Sequence, residues 1–129
     1  MSEAFDIIST YTRKQALEDG QQREVTDFAK EEGFVFRVFM TENAWSEAVR
    51  IPEGVQCQDE RGRLHDVFWM LHCAIKAMRQ DDDLIRFSVK VRVGNKERSF
   101  KTVRMVSQCG PVDIDDPAPA LTIMMQEDI

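Results

Sequence analysis

Ile85-Arg86-Phe87-Ser88-Val89-Lys90-Val91-Arg92-Val93 alternates apolar and polar side chains and is followed by Gly94-Asn95. Apolar residues at every second position predict a β-strand with one face in the core. Gly94-Asn95 predicts a turn, and the β-forming residues from Arg98 to Val106 predict a return strand. The apolar phase of that strand shifts at Phe100, which indicates a bulge. The stretch therefore predicts an antiparallel hairpin over residues 84–106.

A long helix is predicted before this hairpin, from about Leu64 to Arg79. Its apolar residues recur at spacings of three and four and define one face: Leu64, Val67, Phe68, Leu71, Ala74, Ile75 and Met78. The residues that fall on the other side are Trp69, Met70, Cys73 and Ala77. A helix that is apolar around most of its circumference is usually buried on two sides, so a central core helix is the favoured interpretation. The alternative is a partner-binding surface at Trp69, Met70 and Cys73.

Shorter elements complete the predicted fold. Thr12 and Gly20 predict the start and end of a first helix, and Thr26 and Gly33 those of a second. After Gly33, the sequence predicts a strand at 34–40, a helix that is capped by Thr41 and ends near Arg50, and a loop at 55–63. A turn is predicted at Asp81–Asp83, after the long helix. The C-terminal part predicts a chain reversal at Gly110-Pro111 and a last strand at Leu121–Met125. Together these predict an α+β fold with short N-terminal helices, one long central helix and a small, mostly antiparallel sheet under the helices.

Length and composition predict a single domain over residues 1–129. Hydrophobic residues at 43% and charged residues at 31% are typical of a globular protein. No apolar run reaches the roughly 18 residues of a membrane helix, and the acidic start Met1–Asp6 does not resemble a secretory signal. Cys57, Cys73 and Cys109 form no CxxC pair and suit a reducing compartment. We therefore expect a cytoplasmic protein that does not bind membranes.

Charge is distributed unevenly along the chain. Residues 84–107 carry +6, residues 1–83 carry −7 and residues 108–129 carry −5, for a net charge of −6. The candidate contacts to nucleic acid or another anion are Arg86, Lys90, Arg92, Arg98, Lys101 and Arg104. The favoured interpretation is a solvated sheet face that the acidic helices and tail of the same molecule neutralise. The hairpin is also poor in the aromatic residues on which single-strand binders stack bases.

No catalytic or metal-binding constellation is recognisable in the sequence. His65 and His72 are two helical turns apart, roughly 10 Å, which is too far to ligate one metal ion directly. A nucleophilic pair of Cys57 or Cys109 with either histidine has no support in the local sequence. The acidic loop at 113–116 lacks the glycine and glutamate of an EF-hand. We therefore expect no enzymatic activity, no metal and no cofactor.

Two segments of the chain resemble a known family. They are Tyr11-Thr12-Arg13 with Ala16, Asp19-Gly20 and Val25-Thr26, and the stretch from Cys109-Gly110-Pro111 to Met124 with Glu127-Asp128 behind it. In these segments the chain is similar to an uncharacterised family of small bacterial proteins carried by phages, plasmids and conjugative elements. Gln21–Glu24 departs from the family pattern, because an apolar pair usually follows the Asp-Gly. The resemblance implies a mobile-element context and no particular activity or site residue.

Three functions are compatible with these observations. The first is a non-enzymatic accessory or binding protein of a mobile genetic element, which binds an unknown protein partner through the surface at Trp69. The second is a nucleic-acid-binding protein that uses the basic hairpin over residues 84–106. The third is an acidic DNA mimic that inhibits a DNA-binding enzyme, as anti-restriction proteins do. A net charge of −6 is small for mimicry, and the basic hairpin opposes it. The oligomeric state stays open.

Overall fold

A computed structural model of the protein describes residues 11–78 and 83–129. The helices are α1 (Arg13–Glu18), α2 (Thr26–Glu31), α3 (Glu42–Ala44, continued by a π-helical turn at Trp45–Val49) and α4 (Glu60–Ala77), with a short 3-10 helix at Gln126–Asp128. The strands are β1 (Gln22–Glu24), β2 (Arg37–Thr41), β3 (Leu84–Arg92), β4 (Phe100–Asp113) and β5 (Asp116–Met125). The predictions made for Met1–Asp6, Arg79 and Asp81–Asp82 fall outside the described residues.

The five strands form one sheet in the order β1-β2-β5-β4-β3. Strands β2 and β5 run parallel, whereas the other three neighbouring pairs are antiparallel. The predicted α+β class, the mostly antiparallel sheet and the hairpin of β3 and β4 are therefore confirmed. Strand β1 was not predicted, since three polar residues carry no alternating pattern. Among the described strands, β3 is the outermost on its side of the sheet, so one of its edges has no neighbouring strand in residues 11–78 and 83–129.

The main core lies on one face of the sheet, under α2, α3 and α4. Phe87, Val89 and Val91 of β3 point to this face, as the alternation predicts, and they cluster with Val67 and Leu71 of α4. Apolar burial of this kind contributes roughly 25 cal/mol for each Å² removed from water. The helices therefore cover the apolar face of the sheet, as expected.

A second, smaller cluster lies on the opposite face. Phe39 of β2, Ala120 of β5 and Val112 of β4 are buried there, and Leu17 of α1 packs against them. Helix α1 thus covers the part of this face where β2, β5 and β4 meet. Val106 of β4 and Met124 of β5 pair with each other and are also buried on this face, at 1% and 6% exposure. The outer strand β3 contributes Arg86, Ser88, Lys90 and Arg92 to the same face.

The N-terminal helices confirm one predicted cap and correct another. The Thr12 hydroxyl accepts a hydrogen bond from the Gln15 amide at 3.0 Å and caps α1, as predicted. Thr26, however, lies inside α2, and Val25 occupies the cap position. The buried Thr26 hydroxyl accepts from the Val38 amide at 3.1 Å, so it joins α2 to β2. Gly20 follows α1 with a φ of +76°, a conformation in which a side chain is disfavoured.

Helix α4 starts earlier than predicted and is buried on one side only. It begins at Glu60 after the cap residue Asp59, so the second half of the predicted 55–63 loop is helical. Its buried residues face the sheet, whereas Trp69, Met70, Cys73 and Ala77 on the other side are exposed. The favoured interpretation of a helix buried on two sides is therefore wrong.

The C-terminal region is more regular than predicted. Strand β4 continues through Gly110-Pro111 to Asp113, so the chain does not reverse at the glycine and proline. The reversal comes at 113–116, and β5 starts immediately afterwards. The bulge also lies elsewhere, because the irregularity falls between Pro111 and Asp113, whereas Phe100 pairs in register with Arg92.

Candidate binding surface

Four of the six candidate basic residues lie together on the face of the β3–β4 hairpin that is opposite the main core. Arg86, Lys90 and Arg92 occupy the positions of β3 that alternate with its buried residues. Arg104 pairs across the hairpin with Ser88, so its side chain shares the same face. Lys101 and Arg98 are separate, since Lys101 pairs with the inward-facing Val91 and Arg98 lies in the turn. We call Arg86, Lys90, Arg92 and Arg104 the basic face.

The basic face has little charge compensation from the rest of the described chain. Within residues 11–78 and 83–129, Arg86, Lys90 and Arg104 form no ion pair. Arg92 places its guanidinium 4.5 Å from the centre of the Phe100 ring, which is 48% exposed. Lys101 alone among the six candidates forms an ion pair, with Glu47 of α3 on the other face of the sheet.

The predicted partner surface lies on α4, beside the outer edge of β3. Trp69 is 58% exposed and Met70 38% exposed, although both are large apolar side chains. They line a groove of about 440 Å³ together with Asp66 of the same helix and with Ser88, Val89, Lys90 and Thr102 of the hairpin. Cys73, the third predicted residue, is exposed but does not line the groove. The structure therefore brings Trp69 and Met70 together with Lys90 of the basic face.

Arg13 forms a polar cluster that the sequence did not predict. Its half-buried guanidinium donates to the Val112 carbonyl, to Gln22 Oε1 at 2.8 Å and to Thr122 Oγ1 at 3.0 Å. The same group lies 4.0 Å from the centre of the Phe39 ring. Burial lowers the pKa of Arg13, although the nearby Asp113 carboxylate opposes this shift. Two of its partners are 99 and 109 residues away in the chain, so no local spacing could have revealed them.

The Asp113 carboxylate belongs to the same cluster and is fully engaged by backbone groups. It accepts hydrogen bonds from the amides of Ile114 at 2.8 Å, Lys14 at 3.0 Å and Arg13 at 3.3 Å. These hydrogen bonds, led by that from Ile114, lower the pKa of Asp113. The acidic loop thus binds the first turn of α1, which is a structural role.

The chain matches one protein-family model over residues 1–129. It belongs to DUF6573, a family of unknown function. No curated protein and no solved structure matches the chain at a significant level. Membership of DUF6573 confirms an uncharacterised family, whereas the mobile-element context stays a prediction. In this DUF6573 chain, the two segments that carry the resemblance meet where Arg13 bonds to Val112 and Asp113.

The histidines and cysteines of the DUF6573 chain do not line the groove, although the centre of the His72 ring lies 6.4 Å from that of the Trp69 ring. His65 pairs with Glu32 of the α2–β2 connection. Among the described residues neither histidine forms a hydrogen bond with a cysteine, and no three His, Cys, Asp or Glu side chains are grouped so that they could hold a metal ion. No helix in the described part of the chain is long and apolar enough to cross a membrane.

Proposed function

We propose that this chain is a cytoplasmic, non-enzymatic accessory protein of a mobile genetic element that acts by binding another protein. The observation that carries the proposal is the pair of exposed apolar side chains, Trp69 and Met70, in a groove against the outermost strand of the sheet. Tryptophan and methionine are enriched at protein interfaces, and tryptophan is prominent among residues that dominate binding energy. The resemblance to proteins of mobile elements supports the cellular context.

Site-specific photo-crosslinking tests this proposal. A photoreactive phenylalanine derivative replaces Met70 in the groove, and the same group replaces Val35 in a control protein. Val35 is 84% exposed and lies outside the groove, so both positions are open to solvent. In nuclease-treated bacterial lysate we expect a protein adduct from position 70 and none from position 35. Equal adducts from both positions, or none, would contradict the proposal.

Trp69→Asp provides a second measurement. Because Trp69 is exposed on the free side of α4, the substitution leaves the core intact, and the crosslink from position 70 should disappear. The melting temperature, followed by circular dichroism, should stay close to that of the original protein. Unfolding of this variant would show that Trp69 supports the core, which is contrary to its exposure.

Nucleic-acid binding is the second candidate, because Arg86, Lys90 and Arg104 have no ion pair within the described residues. The exposed Phe100 beside Arg92 adds one aromatic surface on which a base can stack. Anisotropy of a labelled single-stranded oligonucleotide tests this function. Affinity should fall steeply between about 50 and 200 mM salt and should weaken in Arg86→Gln. No binding at low salt would exclude it.

A further inference from the structure

The backbone of β3 offers hydrogen-bonding groups to the groove. Asp83 accepts from the Cys109 amide at 2.8 Å, and at the other end Val93 donates to the Ser99 carbonyl at 2.8 Å. Hydrogen bonds in an antiparallel pair involve every second residue, so the odd-numbered residues of β3 bond to β4. The even-numbered residues direct their N–H and C=O groups to the outer edge, and those in the middle of the strand are Arg86, Ser88 and Lys90.

One end of this edge is already occupied. The outward-facing Arg92 carbonyl accepts a hydrogen bond from Arg63 of α4, which also donates to the Arg50 carbonyl at 3.0 Å. Arg63 is only 4% exposed, so it closes the edge at Arg92. In the middle of the edge, the outward backbone groups of Ser88 and Lys90 form no hydrogen bond within the described residues, and both residues line the groove opposite α4.

The two walls of the groove differ in chemistry. Trp69 and Met70 form the apolar part of the α4 wall, which also carries Asp66. On the other wall, Arg86 and Lys90 of the basic face form no ion pair within residues 11–78 and 83–129. A strand that pairs with β3 would direct alternate side chains to these two sides, since successive side chains of a strand point in opposite directions. Apolar residues on one side and carboxylates on the other would match both walls.

We propose that an acidic, extended segment of a partner protein adds to the outer edge of β3 as a further antiparallel or parallel strand. This inference rests on the proposed function and specifies how the partner binds. Main-chain hydrogen bonds to Ser88 and Lys90 provide affinity, as in other cases of strand addition. Carboxylates facing Arg86 and Lys90, and apolar side chains against Trp69, provide specificity.

A second copy of this chain fits the edge poorly. Antiparallel pairing of two β3 strands around Ser88 would place Arg86 of one copy opposite Lys90 of the other. Pairing around Val89 would instead oppose Arg86 and Arg92. Like charges directly opposite each other destabilise strand pairs, so the charges of β3 disfavour self-association and favour an acidic partner.

A synthetic peptide tests the inference directly. The probe is a capped peptide of about ten residues, the length of a typical strand, that alternates valine and glutamate. The matched control alternates valine and lysine. In Trp45→Phe protein, where Trp69 is the remaining tryptophan, the acidic peptide should change the fluorescence and slow amide exchange at Ser88 and Lys90 by about tenfold or more. Absence of binding at millimolar peptide, or equal binding of both peptides, would overturn the inference.

Substitutions at Ser88 separate strand addition from side-chain contact. Ser88→Pro removes an outward-facing N–H, and proline is tolerated on edge strands for that reason, so the fold should survive. Affinity for the acidic peptide should fall about tenfold or more, whereas Ser88→Ala, which keeps the N–H, should bind within about twofold of the original protein. If Ser88→Pro does not fold, a peptide that is N-methylated at alternate residues provides the same test, because it lacks the N–H groups that would pair with β3.

The outcomes distinguish this inference from the proposed function. A crosslink from position 70 that survives Ser88→Pro would leave a protein partner in place and overturn strand addition. Loss of the crosslink in both Trp69→Asp and Ser88→Pro would support both proposals. Peptide binding at Ser88 with no crosslink in lysate would contradict the proposed function alone. A dimer by light scattering that the acidic peptide does not dissociate would identify a second copy as the occupant and overturn the inference.

Discussion

At the scale of single residues, Arg13 joins distant parts of the chain. Its guanidinium bonds to β1, β4 and β5, and its ring contact is with β2. Each hydrogen bond to a charged group contributes about 1.5–3 kcal/mol, and the loss of one partner leaves the others unsatisfied. Arg13 therefore stabilises the sheet.

We expect Arg13→Ala to lower the free energy of unfolding by about 2 kcal/mol or more, because Thr122 and the Val112 carbonyl lose their donor. Urea titration measures the change. Lys14→Ala is the control, since the exposed Lys14 contributes its backbone amide, which the substitution keeps. The control should change stability by less than about 0.5 kcal/mol. Equal effects of the two substitutions would contradict a structural role for the Arg13 side chain.

Because of Asp113, we expect the stability of the protein to depend on pH in the acidic range. Its pKa is lower in the folded protein, chiefly because of the hydrogen bond from the Ile114 amide. The folded state therefore favours the ionised form, and this stabilisation is complete above the unfolded pKa of about 4 and is lost as the pH falls below it. Asp113→Asn should have a shallower loss of stability between about pH 4 and 2 than the original protein. Melting temperatures across this range measure the difference, and parallel curves would contradict it.

At the scale of elements, sequence patterns correctly predicted those helices and strands whose structure depends on residues close by in the chain. The alternation in β3 identified the hairpin because β3 pairs with the next strand and has one buried face. The sequence did not predict the parts of elements whose residues show no periodic alternation of apolar and polar side chains. The first turn of α4 is polar, and its signal is the cap residue Asp59, whose carboxylate accepts from the Gly62 amide.

The strand boundaries near the prolines were predicted wrongly for a different reason. Pro117 and Pro119 precede the strand predicted at Leu121–Met125, yet both belong to β5, which begins at Asp116. Strand β2 pairs with β5 from Ala120 onward, so the proline segment has β4 on one side and none of the described strands on the other. Pro111 of β4 likewise lies beyond its pairing with β3. Proline is tolerated where one side of a strand is unpaired, and that arrangement depends on distant strands.

The sequence predicted the two parts of the candidate binding surface separately. Residue chemistry identified the basic hairpin and the stripe at Trp69, but their relation depends on tertiary structure. The sequence could not show that α4 is buried on one side only, or that Trp69 lies against the edge where Lys90 is exposed. Packing across the sheet decides both points.

We expect Asp59→Ala to destabilise the protein by about 1 kcal/mol, because it leaves the amides of the first turn of α4 without a cap. Chemical denaturation measures the change. Glu53→Ala is the control, since it removes an exposed carboxylate of the preceding loop and should have little effect. A similar loss in both variants would indicate a general effect of charge.

At the scale of the whole molecule, the hairpin over residues 84–107 carries +6 within a protein of net charge −6. The sequence favoured neutralisation of this hairpin by the acidic part of the same chain. Lys101 fits that interpretation, through Glu47, but the cations of the basic face are not paired within the described residues. Direct ion pairs among the described residues therefore account for the charge of Lys101 and not for that of the basic face.

This distribution predicts that the basic face contributes little to stability. The combined variant Arg86→Gln, Lys90→Gln, Arg104→Gln should keep its free energy of unfolding within about 1 kcal/mol, because the three side chains form no ion pair with any residue in 11–78 or 83–129. Chemical denaturation at low salt, where surface electrostatics is strongest, is the sharpest measurement. A loss above about 2 kcal/mol would show that the acidic part of the molecule depends on these cations.

The position of β5 has a consequence for synthesis. This strand follows the other four in the chain, yet it lies between β2 and β4 in the middle of the sheet. A ribosome adds about 5–20 residues each second, so for seconds the nascent chain has the β1–β2 pair and the β3–β4 hairpin with no strand to join them. Both half-sheets then present an unpaired edge to other proteins. The sheet is complete only when β5 has joined the two halves, and until then the nascent protein is a natural client for chaperones.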